Sequence, residues 1–167
     1  KGDEVSVKFL KENEKLWKET EKLESFVGRA AEFDAIFFVG GHGPMFDLAT
    51  STTSHKIINE FSSQNKVVSA VCHGPAALAY VKTASGSYLL DGHAVTGFST
   101  SEEDAVQLTS VMPFILEDQL NTASGGKYEK AGSDWAANVV VSGKIITGQN
   151  PASASGVGEA ILKAIQK

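Results

Sequence analysis

Apolar residues follow two different rhythms along this chain. Up to residue 26 they recur at helical spacing, with Phe9, Leu16 and Leu23 in register and Leu10 and Trp17 beside them. The spacing predicts an amphipathic helix or helix pair over Val5 to Phe26, packed by its apolar stripe on the remainder of the chain. The 6 Lys and 7 Asp+Glu of residues 1 to 26 alternate in sign, which predicts a solvated outer face, with a partner-binding face as the alternative.

From Glu32 onward short apolar runs are separated by longer helical stretches, the rhythm of an α/β fold. Phe33 to Val39 is a continuous apolar strand that runs into Gly40-Gly41-His42-Gly43-Pro44. Ser51 to Gln64 places Ile57, Ile58 and Phe61 on one helical face, and Lys66 to Val71 is a second strand without polar alternation, as for a parallel strand covered on both sides. Gly74-Pro75 opens a helix through Lys82, with proline in the first turn where its missing N–H does no harm. A strand is expected at His93 to Phe98, then helical segments at Ser101 to Leu108 (Ser101 as N-cap) and Phe114 to Leu120. Val139 to Val141 and Lys144 to Thr147 read as a hairpin around Ser142-Gly143. Asn150-Pro151 caps a final helix from Ala152 to Ile165. The elements add up to an open, mostly parallel sheet with helices on both faces.

Composition narrows the possibilities. The 167 residues are 42% hydrophobic and 21% charged, the ordinary range for one globular domain spanning residues 1 to 167. A net charge of −5 provides no basic stripe for phosphate neutralisation, so no nucleic-acid partner is expected. Apolar runs such as Val67 to Val71 fall far short of the roughly 20 residues that span a bilayer, so no membrane partner is expected either. The charged N-terminus lacks the apolar core of a secretory signal, and a single cysteine allows no internal disulfide. Both suit a reducing, cytoplasmic compartment. One thiol also excludes a multi-thiolate zinc site, which leaves Cys72 as either inert core filling or the centre of the chemistry.

The geometry favours chemistry. Strand, Cys72, Gly74 and helix make a turn that lifts a nucleophile above the carboxyl end of the strand, where open α/β sheets bind ligands. Small neighbours are needed there, and Ala70 and Gly74 flank the cysteine. The helix dipole would favour a thiolate at neutral pH. His73 is the candidate base, and its backbone N–H is the candidate first donor of an oxyanion hole. Gly41, ahead of Gly40, is the candidate second donor. Glu102, Glu103 and Asp104 are alternative orienting carboxylates at the same sheet edge. His42, His55 and His93 match no metal-ligand spacing, so no metal and no cofactor are expected; the Gly-Gly-His-Gly run fits neither a dinucleotide fingerprint nor a P-loop.

Four ordered motifs carry a family resemblance: Gly40 to Pro44; Ala70-Val71-Cys72-His73-Gly74-Pro75; Thr96-Gly97-Phe98 with Glu102-Glu103; and Thr147-Gly148-Gln149-Asn150-Pro151-Ala152-Ser153. In these the chain resembles the ThiJ/PfpI superfamily, and within it the branch of glutathione-independent glyoxalases (glyoxalase III, D-lactate dehydratase) and related stress chaperones. The resemblance implies a flavodoxin-like, class I glutamine amidotransferase-like α/β fold. It implies Cys72 as nucleophile, His73 as base and Glu103, rather than its neighbours, as the third member, with the amides of Gly41 and His73 holding an oxyanion. A homodimer acting on a small 2-oxoaldehyde such as methylglyoxal, by lyase chemistry that yields lactate, is what it implies about function. Holdase or deglycase activity and cysteine peptidase or amidase activity are the alternatives. Family members begin with a further strand–helix–strand unit bearing a glutamate that is hydrogen-bonded to the cysteine. This sequence starts after that unit, and the expectation is that the unit is a separate chain completing the fold, a cleaved or truncated piece, or lost.

Overall fold

The computed structural model describes residues 3–166. Four strands form one sheet: β1 Ala35–Phe38, β2 Val67–Val71, β3 Val139–Ser142 and β4 Ile145–Gly148, in the order β1-β2-β4-β3. β1, β2 and β4 run parallel, while β3 pairs antiparallel with β4 through the expected hairpin, whose turn holds Gly143 at φ +63°. Helices flank the sheet as its uniformly buried central strand requires, with every residue of β2 buried.

The helices are α1 Glu4–Glu12, α2 Glu14–Lys18, α3 Gly43–Phe46, α4 Thr52–Ser63, α5 Thr100–Ala105, α6 Leu116–Ala123 and α7 Ala154–Ile165. Ser51 caps α4 by accepting the Ser54 N–H at 3.2 Å, and Ile57, Ile58 and Phe61 are buried as their spacing predicts. Asn150 and Ser153 form the capping box ahead of α7, after a 3₁₀ turn at Pro151–Ser153. Among the described residues no helix is long and apolar enough to cross a membrane.

Register places the motifs side by side. Phe38 pairs with Ala70, and Ala70 with Thr147, so the segments that follow β1, β2 and β4 leave the sheet at one edge. Two glycines allow the close approach there. A Cβ on Gly40 would lie 2.7 Å from that of Cys72, and one on Gly74 would collide with the Phe38 carbonyl.

Four expectations need correction. Residues 74–82 do not form an α-helix: a 3₁₀ turn at Gly74–Ala77 passes through the core, and Gln119 Nε2 donates to the Ala79 carbonyl at 2.9 Å, the acceptor a continuing helix would have used. Residues 93–98 are extended but do not join the sheet. Thr96 N–H donates to Thr147 Oγ1, and Val95 pairs instead with the segment around Tyr128. The cap of α5 is Ser99, not Ser101, in a capping box with Glu102, and Gln107 at φ +61° follows the helix end. Finally, the N-terminal segment breaks at Asn13 and buries no residue of α1 or α2. Val5, Phe9, Leu10, Leu16 and Trp17 are exposed, and only Leu23 and Phe26, in a 3₁₀ turn, reach the core.

Candidate active site

Cys72 follows β2 in the left-handed region, at φ +63°, a conformation that costs a non-glycine residue energy and survives where surrounding contacts over-determine it. They do so here: the Cys72 N–H donates to the Gly148 carbonyl at 2.9 Å, extending the β2–β4 pairing, and the Cys72 carbonyl accepts from the Phe98 N–H at 2.9 Å. The sharp turn expected of a nucleophile at a strand end is therefore present, pinned from both sides.

The turn brings the next side chain back to the sulfur. His73 Nδ1 lies 3.4 Å from Cys72 Sγ, and on the far side of the ring Nε2 lies 2.5 Å from Glu103 Oε2. A carboxylate only accepts, so His73 carries its proton on Nε2 and turns a lone pair toward the thiol. Glu103, at the start of α5, is nearly buried, and its second oxygen is engaged too: His42 Nε2 donates to Oε1 at 2.8 Å. The His42 and His73 rings lie 4.0 Å apart between centroids, and Phe98 covers His73 at 4.3 Å.

Electrostatics corrects the thiolate expectation. Burial pushes the Cys72 thiol above its ordinary value; the N–H groups of Gly41 and His73 donate toward it and pull the other way, and the charges of Glu102 and Glu103 add to the upward push. Without an α-helix after the turn, the dipole invoked from the sequence is not there to offset burial. His73 is pushed down by burial against the upward pull of Glu103. Both shifts favour the uncharged forms, thiol and neutral imidazole. As Cys72 is the chain's one cysteine, alkylation by iodoacetamide reports it cleanly. The rate is expected to rise with pH through a midpoint above the free-thiol value of about 8.5; a plateau already reached at pH 7 would contradict this.

The sequence-derived residues divide clearly. Cys72, His73 and Glu103 come together, and the amides of Gly41 and His73 both face the sulfur. Asp104 points away, bonded to the Thr109 hydroxyl. His55 bonds the Ala49 carbonyl and His93 meets Ser142, so neither joins the site. His42 does join it, against the spacing argument, and its one sequence signal was a position just past β1. Glu102 is fully buried and acts elsewhere: its carboxylate accepts from Ser99 N–H and Oγ, Trp135 N–H, Gln149 Nε2 and Asn150 Nδ2. It thereby ties α5 to the Gln149-Asn150 motif and holds Trp135, itself left-handed at φ +65°, with its ring 5.7 Å from that of Phe98. Nothing in the local sequence marks that strained tryptophan.

Known proteins share this arrangement of elements. A probable glutathione-independent glyoxalase of Schizosaccharomyces pombe, hsp3104, is 30% identical over 165 residues, covering 94% of this chain and 72% of that protein. Glyoxalase 3 of Candida albicans is 32% identical over 139 residues, covering 81% and 59%. The crystal structure of Rapid Encystment Protein 24 kDa from Francisella tularensis superimposes with a TM-score of 0.91 at 40% identity, over 99% of this chain and 72% of that one. The chain spans 54–72% of the length of the fungal glyoxalases that it matches. The DJ-1/PfpI family pattern matches residues 20–164, including both glycine-rich turns and the Cys72 elbow, and the chain belongs to that family.

Proposed function

We propose that this chain converts methylglyoxal, or a closely similar 2-oxoaldehyde, to lactate without glutathione, through a hemithioacetal on Cys72. The observation that carries the reading is the continuous line from sulfur to imidazole to carboxylate, 3.4 Å and 2.5 Å long, at the end of a buried strand. The names of the fungal relatives support the same activity.

Each group has one task. As Sγ adds to the aldehyde carbon, the thiol proton passes to the lone pair of His73 Nδ1, and Glu103 stabilises the imidazolium that forms. The carbonyl oxygen becomes an oxyanion facing the N–H groups of Gly41 and His73, then takes the proton back from His73, closing the hemithioacetal. Neutral again, His73 removes the former aldehyde hydrogen, and the electron pair of that C–H bond forms the double bond of an enediolate whose charge lies on the oxygen of the second carbon. The same ring returns its proton to the adjacent carbon while the first carbon's hydroxyl proton passes to the oxygen of that adjacent carbon, leaving a 2-hydroxy thioester. Water cleaves the carbon–sulfur bond, releasing lactate and regenerating the thiol. The sum is one water added per methylglyoxal, with no external oxidant or reductant.

The resting neutrality of the pair suits this sequence. A base must hold a lone pair at working pH, and burial of His73 keeps it deprotonated below the ordinary imidazole range. The test is lactate formation from methylglyoxal in glutathione-free buffer, with the enantiomers resolved: a single enantiomer is expected, because one base delivers the proton to one face. Absence of lactate from folded protein would overturn the reading.

A second reading, a holdase acting on unfolded proteins, draws on the exposed cluster of Val5, Phe9, Leu10 and Trp17. It makes no use of the buried triad.

A further inference from the structure

His73 and Glu103, the two side chains that serve Cys72, also belong to a second constellation. One ring nitrogen each of His42 and His73 and a Glu103 carboxylate oxygen lie within 4.8 Å of one another, and both rings turn Nε2 to that carboxylate. We propose that these three residues form a binding site for a divalent transition metal of zinc type, and that metal and turnover compete for the same imidazole.

The donor set is right for such an ion: two imidazoles and one carboxylate, with a fourth position left for water. Distances are close to what is needed. Bonds of about 2.0–2.2 Å at tetrahedral angles put ligand atoms roughly 3.3 Å apart, and here both histidine nitrogens already converge on the carboxylate, at 2.8 and 2.5 Å through N–H···O bonds. Opening these contacts by less than about 1 Å, and closing the widest separation among the three ligand atoms, which is within 4.8 Å, seats an ion between them. Access exists on one side only, because the His42 side chain is 33% exposed whereas those of His73 and Glu103 are 1% and 8% exposed. An ion therefore meets His42 first.

The consequence for the thiol follows from which ring nitrogen of His73 carries the proton. Both rings donate from Nε2 to Glu103 in the metal-free state. A metal takes the Nε2 lone pair, so a neutral ring that binds it carries its single proton on Nδ1 instead. For His73 this sets an N–H donor opposite Cys72 Sγ, where a lone pair had been, and the ring can no longer accept the thiol proton. Glu103 is withdrawn at the same time. Zinc is thus an inhibitor of the thiol chemistry that does not touch the thiol.

Binding is measured directly, so the outcome does not depend on which substrate the chain turns over. Titration with zinc chloride by calorimetry is expected to give one ion per chain in wild type and in Cys72→Ser. In His42→Gln affinity should fall by more than the roughly 10–100-fold that loss of a mere outer-shell partner costs. Cobalt(II) supplies a readout that needs no variant: visible ligand-field bands of a tetrahedral site, without a near-ultraviolet thiolate-to-metal charge-transfer band. Retention of binding in His42→Gln with loss in Cys72→Ser, or a strong charge-transfer band in wild type, would place the ion on the thiol and overturn the proposal. So would the absence of any saturable binding.

Discussion

Lactate formation from methylglyoxal is expected to fall by about 10³-fold or more in Cys72→Ala, a loss of roughly 4 kcal/mol or more of transition-state stabilisation. Removing the sulfur removes the covalent intermediate altogether, and neither His73 nor the two amides can substitute, since they act on a carbon that no longer has a nucleophile beside it. Folding should be little affected: alanine fills most of the same small volume and keeps the same neighbours, Gly40 included. Cys72→Ser sharpens the test, because the hydroxyl occupies the sulfur's place at the same strained φ but ionises far less readily than a thiol. Equal inactivity of the two variants, with melting temperatures near wild type, is the expected pattern. Full turnover in Cys72→Ala would remove the hemithioacetal from the mechanism. Suppression of client aggregation that persists in Cys72→Ala would assign that activity to the exposed apolar cluster around Phe9 and Trp17 and separate it from the triad.

How much of this could be read from the residues depends on what each feature responds to. β2 was legible because a strand buried on both faces has no polar alternation, and the elbow followed because small residues on both sides of Cys72 have few other uses. The position of Glu103 was legible only through family resemblance. Glu102 and Glu103 are adjacent acids in one helical turn, and which of them faces the imidazole is decided by how α5 is set against the Gln149-Asn150 segment, a long-range contact. The same limit explains His42. Its partner Glu103 is 61 residues away, and metal templates built on sequence spacing do not see ligands that meet across strand ends.

The misread elements have a similar origin. An Ala-rich stretch after Pro75 has helical propensity, yet its carbonyl at Ala79 is taken by a side chain from α6, and propensity yields to such tertiary partners. Residues 93–98 have a strand's pattern because they are extended and buried; sheet membership is set by hydrogen-bond partners, and theirs are Thr147 Oγ1, the Cys72 carbonyl and the Tyr128 segment. The thiolate expectation failed for the same reason in electrostatic form, since it weighed a local dipole against nothing, while burial by distant elements was the larger influence.

Substitution of Glu102 is expected to have the largest effect on stability, about 3–5 kcal/mol for Glu102→Ala, the scale for removing the charged partner of a buried network. The carboxylate collects five donors from four residues, and truncation strands them in a fully buried site. Against a total stability of about 5–15 kcal/mol, the melting temperature should drop by roughly 10 °C. Glu102→Gln tests the cause, because it keeps the shape but replaces one acceptor with an NH₂ group facing donors, so it too should be strongly destabilised; Asp104→Ala, three-dimensionally separate on the surface side of α5, should not. The pH dependence has a definite sign. Burial raises the Glu102 pKa, but the hydrogen bonds from Asn150, Ser99 and Trp135 outweigh it, and the folded-state value lies below the ordinary one. Its stabilisation is therefore complete above the unfolded-state value of about 4.3 and is lost as pH falls through the lower folded value. The gap in stability between wild type and Glu102→Gln should accordingly be widest near neutrality and close on acidification. A Gln variant that melts with wild type at pH 7 would show that the donors around this site are held by something other than its charge.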